Sequence, residues 1–285
     1  MSSNDHPTEA QLSRRSFLGK TAAAAAVLAA APLRPLAGVP TAQAAEPSAL
    51  PEVQAVLFDV QGTIVDFYST LVQAGDRLGA AKGISADWGA VINDWRQLYR
   101  QGLDEVIKGK RSWVTTDVIY REALDALLEK YPWGAALSAP ERDELNLIWR
   151  RLRPWDDTIP GLTRLRARYT LSTLSNGSMA SVVGIVKNAG LPFDCILTSE
   201  LARTFKPDPK VYQLATSSLG LPPERVLMVA CHKYDLKAAK ELGFKAAFVP
   251  RPLEFGPKGK VDLAPEPYFD LLAKDLGDLA RLLGA

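Results

Sequence analysis

From residue 53 onward, short apolar runs alternate with longer stretches whose apolar residues recur at helical spacing. A short continuous apolar run bounded by polar or small residues reads as a strand buried on both faces. Its alternation with helical patterns is the signature of βαβ units around a parallel sheet. Strands are predicted over 53–58, 169–174, 195–198, 226–229 and 246–249. Each is followed by a polar or small cluster: Asp59 to Thr63, Ser175-Asn176-Gly177, Ser199-Glu200, Cys231 to Asp235, and Pro250-Arg251-Pro252. In an open parallel sheet the carboxyl ends of the strands are where ligands bind. One crevice is therefore expected to collect most of these clusters.

The first and second predicted strands are separated by about a hundred residues without a strand pattern, too long for a connection inside a compact sheet. Helical spacing covers 69–81, 87–107, 112–129 and 139–151, with Trp88, Trp95, Trp113 and Trp149 among the apolar positions. The expected architecture is α/β: a Rossmann-like parallel sheet core (51–68 and 154–285) with an inserted helical cap (69–153). The tryptophans are expected to pack within the cap or against the core, and contact of one with substrate stays open. Beyond Arg251 the chain is rich in Pro and Gly, then runs through 268–275 and an amphipathic 276–283, which read as structural closure.

The N-terminus carries Ser13-Arg14-Arg15-Ser16-Phe17-Leu18, an alanine-rich stretch over 21–32, and Ala42-Gln43-Ala44. This resembles a twin-arginine export signal with its lysine delayed to Lys20, and implies removal of 1–44 and a periplasmic or secreted destination. The alternative is the basic start of an alanine-rich helix. The apolar run is shorter than the ~18–20 residues that span a bilayer, so no stable membrane span is expected after removal. Residues 1–44 hold four basic and two acidic side chains, so a formal net charge of +2 becomes about zero without them. That leaves no electrostatic case for nucleic acid and favours a small-molecule partner. A homodimer is compatible with this reading. With 47% hydrophobic and 23% charged residues, the chain can bury an ordinary globular core. Its two cysteines, Cys195 and Cys231, sit in apolar contexts where an inert thiol is the default.

Asp59 ends an apolar run and precedes Gly62-Thr63, so its carboxylate is expected to project from the sheet into a tight turn. That suits a nucleophilic carboxylate, and equally an Asp that caps the next helix. The wider pattern separates the two. Phe58-Asp59-Val60-Gln61-Gly62-Thr63, Leu174-Ser175-Asn176-Gly177, Lys206-Pro207-Asp208-Pro209 and Val229 to Asp235 resemble, in order, the four motifs of the haloacid dehalogenase superfamily. The resemblance spans 53–252 and implies Asp59 as nucleophile.

Phosphatases of that superfamily carry a general-acid Asp two positions after the nucleophile and an acidic Mg²⁺ ligand at the start of the fourth motif. Here those places hold Gln61 and Cys231. An amide is no general acid and a thiol is a poor partner for a hard cation. Carbon–halogen cleavage needs neither group. The chain is similar to the (S)-2-haloacid dehalogenase (type II) branch: Arg96 matches its halide-binding cap arginine, Lys206 its active-site lysine, and Tyr212 a tyrosine near the site. Thr63, Ser175, Asn176 and Asp235 also fall on active-site positions.

The resemblance implies hydrolysis of short 2-haloalkanoic acids to 2-hydroxy acids, with no metal and no cofactor. Asp59, Lys206, Asp235 and His232 are expected to be catalytic. Substrate and halide are assigned to Gln61, Thr63, Arg96, Ser175, Asn176 and Tyr212. Ser175 and Asn176 would hold the substrate carboxylate, and Asp235 with His232 the hydrolytic water. The chain departs from typical members at Gln61, where an aromatic is usual, and at Ala230 and His232, where serine and asparagine are usual. Those departures put the water site in question and keep open an unusual phosphatase, hydrolysis of a related electrophile, or an exported carboxylate-binding protein without turnover. Lys233 and Tyr234 read as loop surface and packing residues.

Overall fold

Strand β1 (Ala55–Phe58) is fully buried along its length and is the hub of the sheet. The computed structural model describes residues 48–285, so the export-signal features of 1–44 lie outside the described residues. After β1 come β2 (Val65–Asp66), then helices α1 (Phe67–Lys82), α2 (Trp88–Ile107), α3 (Thr116–Leu128) and α4 (Ala139–Leu147), and then β3 (Arg153–Pro154). The chain continues through α5 (Thr158–Arg166), β4 (Thr170–Ser175), α6 (Met179–Ala189), β5 (Cys195–Thr198) and α7 (Pro209–Leu219). It ends with β6 (Val226–Ala230), α8 (Lys233–Glu241), β7 (Lys245–Phe248), β8 (Leu271–Leu272) and α9 (Leu276–Leu282).

Six strands form one parallel sheet in the order β5-β4-β1-β6-β7-β8. Val56 and Phe58 face one apolar cluster with Leu162 of α5, Ile185 of α6 and Leu279 of α9. Leu57 faces the other, with Val211 of α7 and Leu236 of α8. The alternation along β1 therefore fastens helices to both faces, as an α/β sandwich requires. All five predicted strands form within one or two residues of their expected ends. The sixth, β8, arises inside the segment read as closure.

The chain leaves the sheet layer and returns to it through a two-residue antiparallel ribbon that pairs Val65 with Pro154 and Asp66 with Arg153. Between these strands, α1–α4 occupy the four predicted helical stretches. Asp66 caps α1 by accepting from the Ser69 N–H at 2.9 Å, and Gly83 ends it in the left-handed conformation. Asp87 caps α2, and Ser138 with Glu141 forms a capping box on α4. Trp88, Trp95 and Trp149 are buried in the same apolar cluster as Phe58, and Trp113 packs at its edge. No helix among the described residues is long and apolar enough to cross a membrane.

Candidate active site

Register places the site. Phe58 lies opposite Thr173 of β4 and Val229 of β6, so the next residue, Asp59, emerges between the carboxyl ends of two flanking strands. Its N–H still donates to the Val229 carbonyl at 3.0 Å, which fixes the backbone while the side chain leaves the sheet. Each carboxylate oxygen has its own donors. Lys206 Nζ reaches Oδ1 at 2.9 Å; the Thr63 hydroxyl and His232 Nδ1 reach Oδ2 at 2.8 and 2.9 Å. Burial alone would raise the pKa of Asp59, but the positive charges of Lys206 and His232 outweigh it and hold the carboxyl far below the usual carboxylate range.

Lys206 is fully buried and also donates to the Leu174 carbonyl at 2.8 Å and to Asp235 Oδ2. Burial opposes its charge, yet Asp235 and Asp59 together push its pKa above the ordinary lysine value. Asp235 is completely buried, and both of its oxygens are taken, one by Lys206 and one by the Tyr212 hydroxyl at 2.6 Å. Burial raises its pKa, and the nearby charge of Asp59 adds to that against the pull of Lys206.

Tyr212 packs in the apolar cluster on the α7–α8 face, where its hydroxyl braces Asp235. Asp235 in turn braces Lys206. Ser175 and Asn176 are likewise engaged with the chain itself. The Asn176 carboxamide accepts from the Lys206 N–H at 2.7 Å and donates to the Lys206 carbonyl at 3.3 Å, and Ser175 Oγ accepts from the Gly177 N–H at 3.0 Å. They shape the loop that carries Lys206 to Asp59. Thr63 holds the Asp59 carboxylate and ties down the Cys231 N–H at 3.0 Å.

Arg96 comes from α2 into a box of aromatic rings, its guanidinium about 5 Å from the centroids of Phe67 and Tyr99 and 5.8 Å from that of Trp149. Tyr99, Tyr120 and Trp149 stack in series at 3.7 and 3.9 Å between centroids. One edge of the guanidinium donates to Gln61 Oε1 at 3.0 Å and to the Tyr120 hydroxyl, which itself donates to Gln61 Oε1 at 2.9 Å. Gln61 Nε2 is buried without a partner. It lies near Gly177, about 4 Å from where a β-carbon would stand. An orphan buried donor costs about 1–3 kcal/mol, which an anionic guest accepting from it would recover.

Two contributors were missed in the sequence. Tyr120 reads as one more apolar position of α3, and nothing in its spacing marks its hydroxyl. Glu254 follows β7 in the Pro- and Gly-rich segment assigned to closure. It is buried, and Oε1 meets His232 Nε2 at 2.8 Å. Arg251 holds the Glu254 loop in place through a bidentate pair with Asp157 at 2.7 and 2.9 Å and a bond to the Thr63 carbonyl. Gly62 makes room for it: its φ is +94°, and a β-carbon there would stand 2.5 Å from Glu254 Oε1. The available signal was position alone, an acidic residue at the carboxyl end of a parallel strand.

His232 thus sits between two carboxylates. Burial opposes its charge, but Cys231, Glu254 and Asp59 push its pKa well above the usual imidazole value, and each ring nitrogen faces a carboxylate oxygen. Beside it opens a cavity of about 320 Å³ lined by residues that include Asn93, Arg96, Arg100, His232, Tyr234 and Glu254. Tyr234, read as a packing residue, accepts from Arg100 at 2.8 Å on this wall.

A sequence profile of haloacid dehalogenase-like hydrolases matches residues 53–243, which span Asp59, the Lys206 loop and His232. The chain belongs to that family. Among its relatives, (S)-2-haloacid dehalogenase 4A of Burkholderia cepacia is 30% identical over 237 residues, 79% of this chain and 96% of the relative. A solved L-2-haloacid dehalogenase is 42% identical with a TM-score of 0.77, covering 81% of this hydrolase and 99% of that chain. The L-2-haloacid dehalogenase of Xanthobacter autotrophicus with chloropropionic acid covalently bound is 27% identical, with a TM-score of 0.66 and coverage of 81% and 98%.

Proposed function

We propose that this hydrolase converts short (S)-2-haloalkanoic acids to 2-hydroxy acids through an ester on Asp59. The observation that carries the reading is the buried Asp59 carboxylate, held ionised by Lys206 and His232. The positions at which a phosphatase would carry its acid and metal ligand hold Gln61, bonded to Arg96 and Tyr120, and the thiol Cys231.

In the first half, Asp59 Oδ2 attacks C2 in line with the halogen. The C–O bond forms, the carbon inverts, and the halide leaves with the bonding pair towards the Arg96 guanidinium, whose aromatic walls exclude water and strengthen the attraction. Gln61 Nε2 meets the substrate carboxylate. Lys206 stays on Oδ1, which becomes the ester carbonyl.

In the second half, the charge that held the extra proton on His232 is gone, because Asp59 is now a neutral ester. Nδ1 loses its proton to solvent, while Glu254 keeps the proton on Nε2. The imidazole is then a base facing the ester. It takes a proton from water attacking Asp59 Cγ and returns it to the departing alkoxide, while Lys206 neutralises the oxyanion on Oδ1. The water-activating role therefore belongs to the His232–Glu254 pair, with Asp235 and Tyr212 holding Lys206 from behind.

The test is halide release from chloroacetate and (S)-2-chloropropionate with chelator present, by the wild type and Asp59→Asn, combined with a single turnover in H₂¹⁸O. The expected outcome is release by the wild type alone, with label in the Asp59 peptide. Release by the mutant, or label appearing in product only, overturns the scheme. The export signal resembled by 1–44 supports a periplasmic or secreted location, which cell fractionation of the wild type and an Arg14→Lys, Arg15→Lys variant tests.

A further inference from the structure

The mechanism leaves the thiol beside His232 without a task. Cys231 is buried at the end of β6, held by its N–H on Thr63 Oγ1, with Thr63 Oγ1 a further 3.4 Å from its sulfur. Sγ lies 3.7 Å from His232 Nε2 and 3.7 Å from Glu254 Oε2, and His232 Nε2 lies 2.8 Å from Glu254 Oε1. These three donors come within 4.8 Å of one another.

Zinc binds sulfur at about 2.3 Å and imidazole nitrogen or carboxylate oxygen at about 2.0–2.2 Å, which at tetrahedral angles sets the donors about 3.3–3.6 Å apart. With one Glu254 oxygen serving as ligand, the three donor atoms lie within 4.8 Å of one another, and side-chain rotations that move them by about an ångström close the cluster on an ion. A thiolate, an imidazole and a single carboxylate suit a borderline-soft ion; Mg²⁺ and Ca²⁺ require more oxygen donors. His232 and Glu254 also line the 320 Å³ cavity, so a fourth position opens to water.

We propose that Cys231, His232 and Glu254 form a site for a thiophilic divalent cation, zinc above all, and that its occupation arrests the hydrolytic half of the reaction. The arrest rests on the proposed function; the binding does not. On coordination the thiol and Nε2 each release a proton to solvent. The imidazole keeps its remaining proton on Nδ1, facing Asp59 Oδ2 at 2.9 Å, and has no lone pair left for water. Asp59 keeps its lysine and its threonine, so the first displacement still runs. The bound cation is therefore an inhibitor that traps the ester.

The test begins with metal binding to the full-length protein. Zinc is titrated against a chromophoric chelator, and Co²⁺ replaces it for absorption spectra. Expected are one zinc per chain and a thiolate-to-cobalt charge-transfer band, both retained in Cys195→Ser. In Cys231→Ala the band disappears and zinc affinity falls at least about 100-fold, since even outer-shell changes cost 10–100-fold. Should Cys231→Ala fail to fold, the cobalt band in Cys195→Ser, which has Cys231 as its sole thiol, decides the question. Equal binding in Cys231→Ala, or no band in Cys195→Ser, overturns the site. With zinc bound, 2-chloropropionate gives one halide per chain and then stalls until chelator is added. Undiminished turnover at saturating zinc overturns the arrest. Failure of the metal-free enzyme to release halide is instead a failure of the functional reading, and leaves the binding result standing.

Discussion

Replacing Glu254 with Gln keeps the shape behind His232 and removes the charge. If the second half of the reaction depends on Glu254 holding the Nε2 proton, the two halves should separate in this variant. The smallest expected loss is the downgrade of a charge-assisted hydrogen bond to a neutral one, about 1–2 kcal/mol. The largest is the full attraction between unit charges 2.8 Å apart, about 6 kcal/mol at an effective dielectric of about 20. At about 1.4 kcal/mol per tenfold, these bounds span roughly tenfold to ten-thousandfold. The His232 side chain is 16% exposed, so water screens part of the attraction and a loss of about a hundredfold is expected. Rapid-quench measurement of halide should show a full burst of one equivalent per chain, followed by slow turnover. Mass spectrometry of the quenched protein should find the substrate residue esterified to the peptide that contains Asp59. If halide release slows as much as overall turnover, with no burst and no adduct, Glu254 acts through the aim of Asp59 and the base assignment is refuted.

Lys206→Met leaves Asp59 and Asp235 buried without their shared cation; the expected cost is about 3–5 kcal/mol by denaturant unfolding, together with loss of the halide burst. Gly62→Ala forces a side chain onto a φ of +94° and into Glu254, so it should destabilise the protein by more than 1 kcal/mol and reproduce the burst kinetics of Glu254→Gln. His232 has a folded pKa above its ordinary 6.5, so its contribution to stability is fully present below 6.5 and is lost as pH rises through the folded value. The melting-temperature advantage of wild type over His232→Gln should accordingly shrink towards alkaline pH. Asp59 is shifted the other way: its contribution is present above 3.8 and is lost only as pH falls through its depressed folded value. An acid limb in the wild-type burst rate, with a midpoint near 4, would contradict that shift.

The sheet was legible in the sequence because a parallel strand buried on both faces tends to be continuously apolar, and β1 and β6 are; β4, with Thr and Ser among its leucines, was legible through its place before Ser175-Asn176-Gly177. The two-residue strands β2, β3 and β8 are too short to show any period, which is why the Leu271–Leu272 edge hid inside a segment taken for closure. Asp59 and Lys206 were legible through motif order, and the structure brings them to 2.9 Å. Motif order could not say which way a side chain faces. Tyr212 and Asp235 occupy the expected positions but are turned behind Lys206, and Asn176 spends its carboxamide on the lysine backbone. Glu254 had no pattern to betray it. A lone acid in an irregular loop gains its meaning from Arg251, Asp157 and the missing side chain of Gly62, and those contacts exist only in the fold.

The inserted helices and the sheet share one apolar cluster running from Phe58 through Phe67 to Trp95, Tyr120 and Trp149. A helical layer joined to its base in this way cannot swing aside without wetting the middle of the protein. Access to the cavity beside Asn93, Arg100 and Tyr234 is therefore expected to depend on rotation of those side chains and not on a hinge between the two layers, because a hinge would have to expose the shared seam to water.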